Sequence, residues 1–261
     1  MMRSLYIATT GMAAQQMSIE VISNNLANIS TTGFKKSAAE FQELLYQTFR
    51  PAGSPRTSGV LPVGIQVGLG VQPMTAHKTF KQGDFEHTQN DFDIAVEGDG
   101  FFQVTLPDGN TGYTRSGNFE LNNEGAVVTA EGLPILPAIS IPSGMQKIHI
   151  SPEGVVSGVA AGTTTETVIG TMELARFANP AGLDSLGKNL YQVTDASGGA
   201  LTGVPGKEGF GKLQQGFLEN SNVNIADEMV KMIVAQRAYE LNSKAIQTSD
   251  EMLSLVNNLK R

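Results

Sequence analysis

Val234, Ala238, Leu241, Ala245, Thr248, Met252, Leu255 and Leu259 recur at alternating steps of four and three residues, a repeat of small and aliphatic side chains. This spacing predicts a long helix over 223–261 with a coiled-coil seam. Ile225, Met229, Ile233, Ile246 and Leu253 lie off the seam and widen the apolar stripe. Asn224 stands at the N-cap position, with Asp227 three residues on and Glu228 beside it, where carboxylates suit the helix dipole. Asp227/Lys231 and Glu240/Lys244 are i,i+4 pairs in the favourable order, each worth a few tenths of a kcal/mol. Such a helix is about 50 Å long against the ~30 Å width of a small domain, so part of it leaves the globular body and needs a partner.

A poorer seven-residue repeat marks 1–30, at Leu5, Met12, Ile19 and Leu26 and again at Ala8, Gln15, Ile22 and Ile29. Gly11 inside it either costs about 1 kcal/mol relative to Ala or admits a neighbouring helix closely. Arg3 before apolar residues has the look of a secretory leader, but Thr9, Thr10, Gln15 and Gln16 break the run, and a cleaved signal is not expected. No other stretch approaches the length of a membrane span.

Between these ends the period changes. Turn formers Ser30-Thr31-Thr32-Gly33 close the first helix. Phe34 to Phe49 fits a short helix and extended structure about equally. Pro51 to Pro62 reads as an exposed connector. Val63, Ile65, Val67, Leu69 and Val71 then alternate with Gly and Gln, the pattern of one strand whose glycine face admits a close neighbour. From Phe80 to Gly216, short apolar runs such as Phe92 to Val96, Phe101 to Leu106 and Tyr191 to Val193 recur between turns that contain Gly109, Gly125 and Gly154. The expected class is therefore α+β: long N- and C-terminal helices pairing as a coiled coil, with an inserted all-β domain. The expected domains are 1–30 with 223–261 as the helical part, 31–76 with 210–222 as an extended connector, and 77–209 as a β-rich outer domain.

Composition narrows the chemistry. A net charge of −7 argues against an extended nucleic-acid surface. The absence of Cys removes disulfides, thiol catalysis and Cys-based metal sites together. His77, His87 and His149 have no metal-ligand spacing and read as surface or strand histidines. Asp91 and Asp93 begin like a calcium loop, but Ala95 takes the third ligand position. Gly98-Asp99-Gly100 begins like a phosphate loop, but Gln103 holds the third glycine position and no helix follows. Lys35-Lys36 reads as a solvated basic dyad. No two acids are paired as a glycosidase would require. Neither an enzyme nor a cofactor is expected.

Ser23-Asn24-Asn25-Leu26-Ala27-Asn28-Ile29-Ser30-Thr31-Thr32-Gly33-Phe34-Lys35 resembles the signature that follows the first helix of bacterial flagellar basal-body rod and hook proteins. Asn220 to Asn224, followed by Met232-Ile233-Val234-Ala235-Gln236-Arg237-Ala238-Tyr239-Glu240, resembles that family's closing helix. The likeness continues through Leu44 to Thr48, Gly68 to Val71, Gly100 to Val104 and Tyr113 to Gly117. It covers nearly the whole chain and is strongest toward the distal rod members of the family.

The resemblance implies a structural subunit, exported without a cleaved signal peptide through the flagellar type III apparatus. It implies polymerisation into a helical tube of the flagellum basal body that crosses the periplasm. Implied partners are further copies of the chain, other rod proteins, the hook protein and the surrounding P and L ring proteins. Leu5, Met12, Ile19, Ile22, Leu26, Val234, Leu241, Met252, Leu255 and Leu259 are the candidate assembly positions. Asn24, Asn25, Asn28, Gly33, Gln236, Arg237, Tyr239 and Glu240 are the matched motif positions, for which purely local roles stay open. The competing expectations are a proximal rod or hook subunit and a β-rich cell-wall-binding module on a coiled-coil stalk.

Overall fold

The computed structural model describes residues 2–53, 55–56, 59–60, 63–160, 162 and 165–258. Candidate position Leu259 and parts of the Pro51 to Pro62 connector lie outside the described residues. The fold is α+β, with an N-terminal helix, a central β-rich region and a C-terminal helix. The chain divides into two compact units, one of Met1–Leu26, Ser37–His77 and Asn224–Arg261, the other of Ala27–Lys36 and Lys78–Val223. No helix among the described residues is long and apolar enough to cross a membrane.

The first unit contains both helices, α1 (Met2–Ala27) and α2 (Ile225–Asn258). α2 begins where its cap dictates: Asn224 Oδ1 accepts from the amides of Ala226 at 3.0 Å and Asp227 at 3.3 Å. α1 stops three residues short of the expected Ser30. The Thr31 amide instead closes a turn on the Asn28 carbonyl at 3.2 Å.

Phe34 to Phe49 resolves to extended structure. Ser37–Glu43 pairs with Val71–Lys78, and Tyr46–Arg50 pairs antiparallel with Ile65–Gly68. Pro55–Arg56 pairs antiparallel with Gly59–Val60, so the segment expected as a plain connector holds a short strand pair among its described residues. The single strand expected over Val63 to Val71 is broken at Leu69 and Gly70. Gly70 has φ 120°, and a Cβ there would collide with Thr10 Oγ1 of α1. The glycine thus serves a close approach, but at a bend and not along a strand face.

The second unit is a β body. Its largest sheet runs in the order Asp184–Gly187, Leu190–Gln192, Thr111–Thr114, Phe101–Thr105, Leu174–Arg176, Leu201–Gly203, with Ile135–Leu136 also on Phe101–Thr105. A three-stranded sheet is made by Met145–Ile150, Val155–Ala160 and Glu166–Thr171. Lys212–Gln215 pairs with Ile94–Glu97, and Phe217–Glu219 pairs with Phe85–His87.

Strand Phe101–Thr105 shows why its sequence is apolar almost throughout. Phe102 and Val104 enter the main core with Ile94, Phe119 and Leu174, while Phe101 enters a second cluster with Tyr113, Phe177 and Tyr191. A strand covered on both faces has no need of polar alternation.

Candidate assembly surfaces

The two helices of the first unit touch along a line that hydropathy does not mark. Ser4 Oγ lies 3.4 Å from Ser249 Oγ, a Cβ on Gly11 would lie 3.0 Å from Asn242 Nδ2, and Asn25 Nδ2 donates to Glu228 Oε2 at 3.2 Å. Successive contacts advance seven or fourteen residues along α1 and retreat by the same number along α2, so the helices run antiparallel. Ser18 and Ala235 hold the remaining seven-residue positions, and Ala235 is buried. Gly11 therefore admits a neighbour, the second of its two expected readings.

The aliphatic repeat expected to form the seam between these helices does not do so. Val234, Leu241, Met252 and Leu255 are exposed, Leu241 at 67% and Leu255 at 62%. On α1, Ile22 is buried, and Leu5, Met12, Ile19 and Leu26 are half-buried. The physical reason is size and polarity. Serine, glycine and alanine let helix axes approach, and a buried carboxylate has to face its hydrogen-bond donor.

That donor is a motif residue. Asn25, 1% exposed, accepts from the Ser37 amide at 2.8 Å through Oδ1 and donates to the Ser37 carbonyl at 2.9 Å through Nδ2. It thereby joins α1 to the following strand as well as to α2. Glu228, 2% exposed, also accepts from Lys231 Nζ at 2.7 Å, so Lys231 serves Glu228 in place of the expected Asp227. Asn24 is exposed, and Asn28 accepts from Thr31 Oγ1 at 3.2 Å. Gln236, Arg237, Tyr239 and Glu240 are all exposed, with no ion pair between Arg237 and Glu240 among the described residues.

The second unit holds a buried charge cluster that the sequence did not reveal. Lys35, expected as solvated charge, is 1% exposed. It donates to Glu219 Oε1 at 2.6 Å and to the Lys81 carbonyl at 2.8 Å. Arg115 Nε donates to Glu219 Oε2 at 2.6 Å, and its other nitrogens donate to the carbonyls of Val96, Gly98 and Gly100. The Gly98-Asp99-Gly100 loop therefore presents carbonyl oxygens to a cation, the opposite polarity to a phosphate loop. Gly33, at φ 70°, turns the chain inward here and donates its amide to the Glu219 carbonyl at 2.7 Å. A Cβ at Gly33 would lie 2.7 Å from the Ser116 amide nitrogen.

Burial pushes the Glu219 carboxyl up, but the charges of Arg115 and Lys35 and their hydrogen bonds outweigh it and hold the group below the usual carboxylate range. Burial holds the Lys35 ammonium below its ordinary value, against the opposing pull of Glu219. Burial pushes the nearby Tyr191 phenol up, with the Glu219 charge adding to it.

A cavity of about 400 Å³ adjoins the cluster, lined in part by Phe80, Phe101, Arg176 and Phe177. Its cations are engaged, Arg176 by the Gly209 carbonyl at 3.2 Å. Asp93 accepts from Thr88 Oγ1 and Asn90 Nδ2 and ties down its own turn. No group of three or more His, Cys, Asp or Glu converges as a metal site among the described residues.

Three family descriptions match this chain: flagella basal body rod protein over 5–35, flagellar hook protein FlgE/F/G D1 domain over 95–158, and flagellar basal body rod FlgEFG protein C-terminal over 214–259. The chain is similar to the flagellar basal-body rod protein FlgG of Borreliella burgdorferi, 51% identical over 265 residues that cover 100% of both chains. It is 50% identical to FlgG of Buchnera aphidicola subsp. Acyrthosiphon pisum over 99% of this chain and 100% of that one. It is 44% identical to FlgG of Caulobacter vibrioides, again over 99% of this chain and 100% of the other.

Proposed function

The chain belongs to the flagellar basal-body rod protein family, and on that premise we propose that copies of it polymerise into the helical tube of the distal rod. Membership makes it a structural protein of the flagellar basal body and not an enzyme. The observation that carries the polymer reading is the division of labour on α2. Its small and polar face meets α1, while Ile233, Val234, Leu241, Met252, Leu255 and Val256 stay exposed along its length. Burying each such side chain is worth roughly 1.5–3 kcal/mol, so a row of them rewards packing against further copies.

In this reading the tube crosses the periplasm and transmits torque toward the hook. Its neighbours are other rod proteins, the hook protein and the P and L ring proteins, reached after passage through the type III export apparatus. The motif residues Gln236, Arg237, Tyr239 and Glu240, all exposed on α2, supply contacts between copies. The test is electron microscopy of the purified full-length protein under polymerising conditions. Tubes of open-ended length with a narrow axial channel are expected. A small closed oligomer that binds glycan would instead support a wall-binding module on a stalk.

A further inference from the structure

The α1–α2 contact raises a problem of register. Ser4, Gly11 and Asn25 meet Ser249, Asn242 and Glu228, with Ser18 and Ala235 at the step between, and apart from Asn25, Asn242 and Glu228 these residues are all small. Sliding α2 by seven residues would place Asn242 against Ser4, Ala235 against Gly11 and Glu228 against Ser18, which asks the flexible end of Asn242, packed on Gly11 in the observed register, to shift by a few tenths of an ångström. A seven-residue repeat of small residues therefore tolerates several alignments of nearly equal packing. Only one of them places Glu228 against Asn25.

We propose that the buried Asn25–Glu228 hydrogen bond, anchored on the Ser37 backbone, selects the register of the terminal helix pair within each chain. Asn25 cannot follow a slip, because both ends of its amide are held by Ser37, at 2.8 and 2.9 Å. Glu228 then selects the alignment, since every slipped register takes its carboxylate away from the buried Asn25 amide, one N–H of which stays on the Ser37 carbonyl while the other loses its acceptor. One buried polar pair thereby specifies what the apolar positions leave degenerate, at some cost in stability relative to an apolar pair. The consequence for the surface is direct. The register sets which aliphatic residues of α1 and α2 lie side by side on the outside, and therefore the pattern a neighbouring copy meets.

The chain has no cysteine, so an introduced pair reacts alone. Disulfide formation is measured in the purified full-length protein carrying Ser4→Cys with Ser249→Cys, the observed register, or Ser4→Cys with Asn242→Cys, the register slipped by seven. Intrachain products are separated from dimers by mass. With Asn25 and Glu228 intact, the first pair is expected to close at least about fivefold faster, the low end of what an orphaned buried polar group costs. With Asn25→Leu and Glu228→Leu together, the preference should fall below about twofold or reverse. Glu228→Gln, whose amide oxygen still accepts from Asn25, should retain it.

A preference that survives the double leucine change shows that the register is set elsewhere and overturns the proposal. So does a native chain without preference, or a Glu228→Gln chain that loses it. If the double leucine chain fails to fold, as judged by the melt of the β body, Asn25→Ala with Glu228→Ala carries the same expectations and the same refutations.

Discussion

The two units bury different kinds of residue. In the second, Phe102, Phe119, Leu174, Leu213 and Tyr191 are almost wholly enclosed, along with a salt-bridged cluster. In the first, the buried side chains among the described residues are Ala8, Ala14, Asn25, Glu228, Ala235 and Ser249, with Ile22 the one large aliphatic. Hydrophobic stabilisation scales with the apolar area removed from water, so the β body carries its own stability while the helical unit lacks most of the material for one. Helix nucleation is unfavourable, and helices in proteins draw their stability mainly from packing an apolar face. The contrast teaches that the first unit leaves its large aliphatic side chains available for burial while the second has already used them.

The most forceful way to break this comparison is to truncate one large apolar residue in each unit, buried in the second and exposed in the first. Phe102→Ala should lower the unfolding free energy of the β body by about 3–5 kcal/mol, through lost transfer energy and a cavity. Val234→Ala should change the same unfolding free energy by under about 0.5 kcal/mol, because that side chain is already largely in water. Equal losses would erase the distinction.

The charge cluster ranks next. Lys35→Met leaves the buried Glu219 with Arg115 as its cation and the Gly83 amide as a further donor, and should cost about 3 kcal/mol, the low end for breaking a buried pair, in equilibrium denaturation at neutral pH. A neutral result would mean that Arg115 and the Gly83 amide satisfy the carboxylate without Lys35.

Acid probes the same carboxylate more gently. Glu219 has a folded-state value below its reference of 4.5, so the stability it contributes is fully present above that pH and is lost as pH falls through the depressed folded value. Denaturation midpoints of the native chain and of Glu219→Gln should converge over that acid range. Midpoints that stay parallel would show that the group is not held ionised.

Hydrogen exchange sharpens the contrast without mutation. Amides of α1 and α2 should exchange faster than those of strands Phe101–Thr105 and Leu174–Arg176 in the soluble chain and gain protection in the polymer. Strong protection of both helices before assembly would contradict the idea that they await neighbours.

The smallest expected effect on the folded chain belongs to Leu255→Asp. With Leu255 already 62% exposed, the β body should melt within about 0.5 kcal/mol of the native protein. Polymer growth should nevertheless stop, since the charge enters a surface that packing copies must desolvate. Normal tubes from this variant would remove α2's outer stripe from the assembly.

Much of this molecule was legible in its residues. The α2 cap at Asn224, the left-handed turns at Gly109, Gly125 and Gly154 and the apolar run of Phe101 to Leu106 each act locally, and each appears where its chemistry requires. The motif residues led to the family by likeness, yet their spacing did not disclose the hydrogen bonds of Asn25. The buried cluster was invisible for a related reason. Lys35, Arg115 and Glu219 are separated by 80 and 104 positions, and nothing in a lysine pair announces that one member turns inward.

The sequence by itself determined that two helices flank a β body and that both carry seven-residue repeats. It could not determine which repeat faces which partner. Rows Ser4-Gly11-Ser18-Asn25 and Leu5-Met12-Ile19-Leu26 are neighbours only about 100° apart around the same helix. Hydropathy selects the greasier row, whereas the fold pairs the row with the smaller and more polar residues. Tertiary structure made that choice, because close approach of two helices and the pairing of a buried carboxylate are properties of surfaces brought together and not of either surface alone.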